Sequence, residues 1–454
     1  MPQRVERIII NRNHPNWAAC ARLCSLAKKL GNCASYILRH RLFDKKAPYT
    51  RAELDRALRE QYPQDYRAMP SAASAQRQGQ IVAKQFKSFA KASAEYKKHP
   101  EKFLGKPKLP GYRNKYRTFC VGRNGYKIEN HRLIITGADT VGFNPIIVRS
   151  CSNQSFNAKA TGSLAGDLRI IPKGNSFVVE LTYQIKENER TVSLNRQEAV
   201  CIDLGVNNFA AIVSTKPGTR PILVKGGFLK MLNQSYNKRA AQLRSKGHLK
   251  HLASVSFKRQ RRIDDALHKI SRTIIDFCVQ QEVGRIVIGK NKFWKQLSNM
   301  GRRNNQNFVN LPHSKLIEQL IYKSQEYGIE VSVVSESYTS KASALDFDDI
   351  PDYEKGVKKT FSGKRIKRGL YLTKQGKQIN ADTNSAANIG RKELGDEWLK
   401  TLLGLDEGVF VNTPTVLRTP YGMRRSLEAG ACSGEAADLM TWNPSAPHWR
   451  MGAK

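Results

Sequence analysis

The sequence predicts a multidomain α+β protein, and three observations carry that reading. Its 454 residues are enough for two or three cores of ordinary domain size. A stretch of helical periodicity, residues 15–97, separates a first β run from a group of short β runs. From residue 199 onward, strand patterns alternate with helical ones, the order from which an α/β sheet is built.

In chain order, VERIIINRN reads as a strand, and residues 15–45 then place Trp17, Leu23, Leu26, Leu30, Ile37 and Leu38 at helical spacing. Residues 50–64 and 70–97 continue in that style. Within them QRQGQIVAKQFKSFAKASAEYKK sets Lys on one face and Ile, Val and Phe on the other, and Pro100 ends the pattern. Residues 102–128, KFLGKPKLPGYRNKYRTFCVGRNGYKI, change character, with Gly and Pro punctuating a basic run interleaved with aromatic rings. Lys106, Lys108, Tyr112, Arg113, Lys115, Tyr116 and Arg117 are the candidate nucleic-acid contacts there. Basic side chains suit phosphates and rings suit base stacking; the plain alternative is a solvated loop leading into strands. HRLIITG, NPIIVRS and DLRIIPKGNSFVVELTYQIK are short β runs, the last a hairpin around Lys173-Gly174-Asn175. The first strand is expected to join this β module, which makes the helical segment an insertion.

A second domain opens with EAVCIDLGVNNFAAIVST, in which the apolar run Ala199–Ile202 ends at Asp203. An unpaired carboxylate inside a buried strand costs several kcal/mol unless a cation or hydrogen bonds satisfy it, so the placement needs a reason. Gly205 permits a tight turn, Phe209–Val213 reads as the returning strand, and PILVKGG as a third. Residues 228–282 are a long helical tract with Ile263, Leu267, Ile270, Ile274 and Phe277 on one stripe; His268 beside it reads as structural. GRIVIGKNKFWKQ, SKLIEQLIYKSQEYG and IEVSVVSE then give strand, helix and strand, βαβ material of the same sheet.

Two further acids stand out. Glu336 in VSVVSESYTSK follows the point where alternating valines stop; it is either a solvated loop residue or a group held out over the sheet. Asp382 in KQINADTNSAANIGRK precedes a helix of small residues that suits close packing on a sheet, the alternative being a helix N-cap. Between them lie Asp346, Asp348, Asp349 and Asp352, read as capped turns or a cation site, and then Lys364, Arg365, Lys367 and Arg368, a basic stretch suited to a phosphate-contacting lid. Residues 396–454 mix Pro, Gly and Ser without periodicity and read as a flexible tail, with Trp442 and Trp449 available for docking.

The charge names a class of partner. Lys and Arg number 77 against 38 Asp and Glu, a net charge of +39. Residues 396–454 hold seven acids and six bases, so the excess lies in the preceding domains. Such a field attracts DNA or RNA, with counterion release supplying much of the affinity. No apolar run approaches the roughly 18 residues of a spanning helix, and MPQRVERIII has no signal-peptide core. A soluble, cytoplasmic protein without a membrane partner is expected. The eight cysteines are scattered with no CxxC pair, so neither zinc nor a disulfide framework is expected.

Four segments together resemble TnpB-type proteins, the RNA-guided nucleases of insertion sequences that are related to compact type V CRISPR effectors. They are CIDLGVNNFA as a first RuvC motif, ESYTSKAS, FSGKRIKRGLY, and INADTNSAANIGRK as the third RuvC motif. The likeness covers most of residues 1–395. It implies a β-barrel wedge domain (1–14 and 106–198) with an inserted helical recognition lobe (15–105). An RNase H-like (RuvC) α/β nuclease domain would follow (199–341 and 377–395), carrying a lid or degenerate zinc-ribbon insertion (342–376), and the tail would begin at 396. It also implies a guide RNA, a double-stranded target DNA read beside a short flanking motif, and Asp203 and Asp382 as catalytic, metal-binding acids.

The departures are specific. A typical member carries its second acid at the end of the strand that here reads RIVIGKN, where Gly289 stands, and follows YTS with a CxxC zinc ribbon, where this chain has YTSKASALDFDDIP. Either the chain is a nuclease-dead, repressor-like RNA-guided DNA binder, or Glu336 from the neighbouring strand end supplies the second carboxylate. In the second case Asp203, Glu336 and Asp382 would together hold two Mg2+ or Mn2+ ions, which suit hard oxygen donors and in-line phosphodiester hydrolysis. A CRISPR-associated effector shares this chemistry and differs in where its guide originates. A DNA-transposing enzyme is disfavoured, since no tyrosine or His-x-His relaxase arrangement is visible.

Overall fold

The computed structural model describes residues 3–148, 166–184, 193–290, 311–353, 359–405 and 414–418. The chain divides into two compact units, Met1–Asn188 with Tyr236–Gln260, and Glu189–Ser235 with Arg261–Lys454. No helix among the described residues is long and apolar enough to cross a membrane.

In the first unit, β1 (Gln3–Ile10) leads into the helices α1 (Trp17–Phe43), α2 (Arg51–Gln61), α3 (Pro63–Arg67) and α4 (Ala72–Lys98). The chain then returns as β2 (Phe119–Val121), β3 (Tyr126–Glu129), β4 (Arg132–Ile135), β5 (Ile146–Ile147), β6 (Leu168–Lys173) and β7 (Ser176–Gln184). β1 pairs antiparallel with β7 from Gln3↔Gln184 to Ile10↔Phe177, so the helices are an excursion between the first strand and its partners. Gly174, in the left-handed region at φ 60°, makes the two-residue turn that sets Lys173 opposite Ser176. Among the described residues the strands form an open sheet, β1-β7-β6-β2, and a second one, β3-β4-β5. No described ladder joins β1 to β2, as closure into a single barrel would require.

The helices follow from local chemistry. Thr50 and Glu53 form a reciprocal capping box at the start of α2, and Ser71 and Ser74 do the same for α4. α1 buries Cys20, Leu23, Cys24, Ala27, Leu30 and Ala34 along one stripe, against a core that includes Phe119, Leu168, Ile170 and Phe177. Burial pushes the Cys24 thiol up to about 12, which makes it an inert packing group.

The second unit is built on β8 (Asn195–Asp203), β9 (Asn208–Ser214), β10 (Ile222–Lys225), β11 (Val283–Gly289), β12 (Glu330–Val334) and, last in sequence, β16 (Thr415–Leu417). The sheet order is β12-β11-β8-β9-β10-β16. β8, β9 and β10 are successively antiparallel, whereas β11 is parallel to both β8 and β12. The C-terminal ends of β8, β11 and β12 therefore share one edge. α5 (Gly227–Ser245) and α6 (Leu249–Gln280), whose residues Tyr236–Gln260 group with the first unit, and α7 (His313–Ser324) lie between these strands in the chain. Ile263, Leu267, Ile270 and Ile274 of α6 lie in the core with Val200, Ile202, Ile286 and Ile288.

A small antiparallel sheet, β13 (Lys364–Lys367), β14 (Leu370–Leu372) and β15 (Gln378–Asn380), feeds directly into α8 (Ala381–Leu394). α8 packs on β8 and β9 through small residues. A Cβ on Gly390 would lie 2.5 Å from Cys201 Sγ, a separation no packed pair tolerates. The acids ahead of this sheet brace its turns: Asp346 Oδ2 accepts from Ser343 Oγ (2.6 Å) and Lys374 N (2.8 Å), and Asp348 Oδ2 from Ser343 N (2.8 Å).

One expectation needs correction. Residues from 396 onward were read as an aperiodic tail, yet α9 (Glu397–Leu405) buries Leu399 and Leu402, and β16 adds to the sheet edge beside β10. The apolar residues are there in the sequence, but the runs are too short to show a period. Trp442 and Trp449 lie outside the described residues.

Replacing Gly390 by Ala is expected to cost about 1–3 kcal/mol in chemical unfolding. Cys201→Ala in the same chain should recover part of that loss, because it removes the sulfur that the new methyl meets.

Candidate active site at the end of the sheet

The three acids reach one edge by separate routes. Asp203 is the last residue of β8, after four fully buried positions. Glu336 follows the end of β12 by two residues, and a Cβ on its neighbour Gly289 would come within 2.7 Å of its Cγ. Asp382 stands in the first turn of α8, whose N-cap is Asn380: its Oδ1 accepts from Asp382 N (3.0 Å) and Thr383 N (3.1 Å). Capping is thus done by Asn380, and the Asp382 carboxylate is left for another task.

The loop that carries Glu336 is clamped by the same helix. Asn384 Nδ2 donates to Ala342 O (2.8 Å) while its Oδ1 accepts from Ala344 N (2.9 Å), and Asn388 Nδ2 donates to Thr339 O (2.9 Å) and Ala342 O (2.7 Å). Both asparagines are fully buried. Tyr338 in this loop sits at φ 61°, uncommon for a bulky residue. The two asparagines of NSAAN therefore tie the segment after Glu336 to the helix that presents Asp382.

Electrostatically the acids share one field. Burial, and then the charge of Asp382, push the Asp203 carboxyl up to about 7, against the opposing pull of Arg365 and the Leu204 N–H. Burial and the charge of Asp203 push Glu336 up to about 8. Basic groups balance the cluster. Arg365 Nη2 donates to Asp382 Oδ1 (3.0 Å), Asn208 Nδ2 to Asp382 Oδ2 (2.6 Å), and Lys225 Nζ to Asn208 Oδ1 (2.9 Å). Among the described residues no three His, Cys, Asp or Glu side chains stand close enough together to hold an ion. The donors nevertheless suit Mg2+ or Mn2+, being carboxylate oxygens whose mutual repulsion a hard cation relieves.

Several contributors carried no clear sequence signal. His313 is fully buried, stacks on Phe209 (5.1 Å between centroids) and places Nε2 3.0 Å from Gly205 O, pinning the turn after Asp203. Gly205 itself is required by space, since a Cβ there would lie 2.6 Å from Asn208 O. Asn208 opens the returning strand at the same sheet end, a position that periodicity alone could have flagged.

The candidate nucleic-acid residues divide. Lys106, Lys108, Tyr112, Arg113 and Lys115 are exposed, with Arg39 over the Tyr112 ring (5.3 Å). Lys364, Arg365, Lys367 and Arg368 are exposed on β13 and the turn after it. Arg117 is a correction: it is 7% exposed, donates to Ser35 Oγ and Gln85 Oε1 (3.4 Å each), and lies where a Cβ on Gly31 would be 2.6 Å from its Nε. It packs inside the first unit and is no phosphate contact. Tyr116 is half-buried and packs edge-on against Phe177.

A basic run was missed. No Asp or Glu occurs between Asp203 and Asp264. Lys238, Arg239, Arg244, Lys246, Lys250, Lys258, Arg261 and Arg262 are all exposed on α5, α6 and their turn. The absence of acids over that span was the available signal.

The raised carboxyls set a pH dependence. The unfolded chain ionises in the ordinary carboxylate range, whereas folded Asp203 and Glu336 hold their protons to about 7 and 8. Stability is therefore lost as pH rises through that window and is not regained above it. In chelator, Glu336→Gln should match wild type near pH 4 and melt at least about 4 °C higher near pH 8, and equal melting at both would contradict the electrostatic picture.

Two family models match this chain: OrfB_IS605, described as a probable transposase, over residues 177–295, and the Cas12f1-like TNB domain over residues 313–389. A CRISPR-associated endodeoxyribonuclease Cas12f1 from Sulfoacidibacillus thermotolerans is 23% identical over 230 residues, 47% of this chain and 50% of that one. The chain thus spans about half the length of this curated relative. Among solved structures, a Cas12f1–sgRNA–target DNA complex aligns over 82% of both chains with 14% identity and a TM-score of 0.47. A CRISPR-Cas12f ternary complex aligns over 82% of this chain and 80% of its own at 13% identity and a TM-score of 0.32. Over residues 177–295 and 313–389 the chain is therefore similar to OrfB_IS605 proteins and to the Cas12f1-like TNB domain.

Proposed function

We propose that the protein is an RNA-guided DNA endonuclease that cuts target DNA beside a short flanking motif, with Asp203, Glu336 and Asp382 as its metal-binding, catalytic acids. The observation that carries this reading is the shared field of the three carboxylates, in which Asp203 feels Asp382 and Glu336 feels Asp203 at one sheet edge. The sheet order, three antiparallel strands followed by two parallel ones, supports reading the second unit as an RNase H-like RuvC domain. The helices between β1 and β2 support reading the first unit as a wedge domain with an inserted recognition lobe.

In this mechanism Asp203, Glu336 and Asp382 would together hold two divalent ions. When bound, the ions would activate a water and stabilise the leaving 3′ oxygen. Asn208, backed by Lys225, orients one oxygen of Asp382. Arg365 donates to the other oxygen, and its position on the basic strand β13 suits it to meet a phosphate entering the site. Guide RNA and the target duplex would be held by exposed basic side chains, including Lys106, Lys108 and Arg113 and those along α5 and α6. A cytoplasmic location, in contact with the nucleoid when DNA is bound, follows from this reading.

A second reading, an RNA-guided DNA binder without nuclease activity, is favoured by Gly289 at the strand end where a typical member carries its acid. Whether the guide comes from an insertion sequence or from a CRISPR array leaves the chemistry unchanged.

With its RNA and Mg2+, wild-type protein is expected to cut a matched plasmid, and Asp203→Ala, Asp382→Ala and Glu336→Ala should each abolish cutting while RNA affinity stays within about twofold. Full cleavage by Glu336→Ala would remove the relocated acid; target binding without cutting by wild type would favour the binder.

A further inference from the structure

Gly289 is the last residue of β11, buried, paired with Val334 of β12 and followed by a hydrogen bond from Lys290 N to Val334 O (2.8 Å). Its backbone is not among the glycines in the left-handed region, so a conformational need does not explain it. Space does. A Cβ built on Gly289 would lie 2.7 Å from Glu336 Cγ, 2.4 Å from Ile389 Cδ1 and 3.0 Å from Ile389 Cγ1. Neither neighbour is a free-swinging end: Ile389 is fully buried on α8, and Cγ belongs to the stem of Glu336.

Three elements therefore meet in a notch as deep as one missing methyl group: the end of β11, the loop carrying Glu336, and the helix that begins with Asp382. We infer that Gly289 is a positioning residue, the seat against which the Glu336 stem lies so that its carboxylate joins Asp203. The edge accepts an acid from β11 or from the loop after β12, not both. The inference rests on Glu336 being a metal-binding acid. It adds that the acid's relocation and the loss of a side chain at 289 are one structural change.

The test measures Mn2+ affinity and chelator-treated melting temperature on the full-length protein–RNA complex. Glu336→Gln should weaken Mn2+ binding about 10-fold or more; if it does not, the carboxylate assignment itself falls, and this inference with it. Gly289→Ala should weaken Mn2+ binding to a similar degree and also lower the melting temperature. Gly289→Ala with Ile389→Val removes the tightest clash with α8 but keeps the clash with Glu336, so it should recover melting temperature without recovering Mn2+ affinity. Wild-type Mn2+ affinity in that double variant, with Glu336→Gln still weak, would overturn the seat alone and leave a packing role. Should Gly289→Ala fail to fold, the exchange decides: Gly289→Glu with Glu336→Gly should bind Mn2+ about 10-fold more tightly than Gly289→Glu alone. Equal affinities of those two would also overturn the seat.

Discussion

Carboxyl groups crowded at one half-buried end of the sheet are the constraint around which the candidate site of the second unit is arranged. Burial first, and then the charge of Asp382, raise the cost of ionising Asp203, and burial followed by the charge of Asp203 raises that of Glu336. A fold keeps such a cluster only if something opposes the repulsion. Here Arg365, and Asn208 backed by Lys225, take up Asp382, and the remaining surplus of negative charge is what a divalent cation would neutralise.

Hydrogen bonds from polar side chains to the main chain hold the segments that carry the acids. Asn384 and Asn388 hold the loop after Glu336, His313 holds the turn after Asp203, and Asn380 caps the helix that begins with Asp382. Each of these is a polar side chain bonded to main-chain groups, and such bonds fix position at small net energy. Position is what metal-dependent chemistry demands, because carboxylates misplaced by about an ångström lose the geometry on which it depends. Asp346 and Asp348 brace the neighbouring turns through backbone N–H groups and a serine hydroxyl.

Much of this was legible in the sequence. The strand ending in Asp203, the hairpin turn at Gly174, the stripe on α6 and the small-residue helix after Asp382 all follow from periodicity and residue size. The rest was hidden for physical reasons. Arg117 looks exposed in a basic run, but its burial depends on the space left by Gly31 in a distant helix. The short strand β16 and the helix α9 are secured by the sheet edge and core they join, which no local window contains. The contact of Arg365 with Asp382 joins β13 to the first turn of α8, a distance no spacing rule supplies.

The central claim is that Glu336 supplies the second metal-binding carboxylate, and anomalous diffraction from Mn2+-loaded crystals of the protein–RNA complex tests it most directly. The account predicts Mn2+ peaks in contact with carboxylate oxygens of Asp203, Glu336 and Asp382. Peaks at Asp203 and Asp382 with Glu336 turned away, or no peak at that edge, would contradict it.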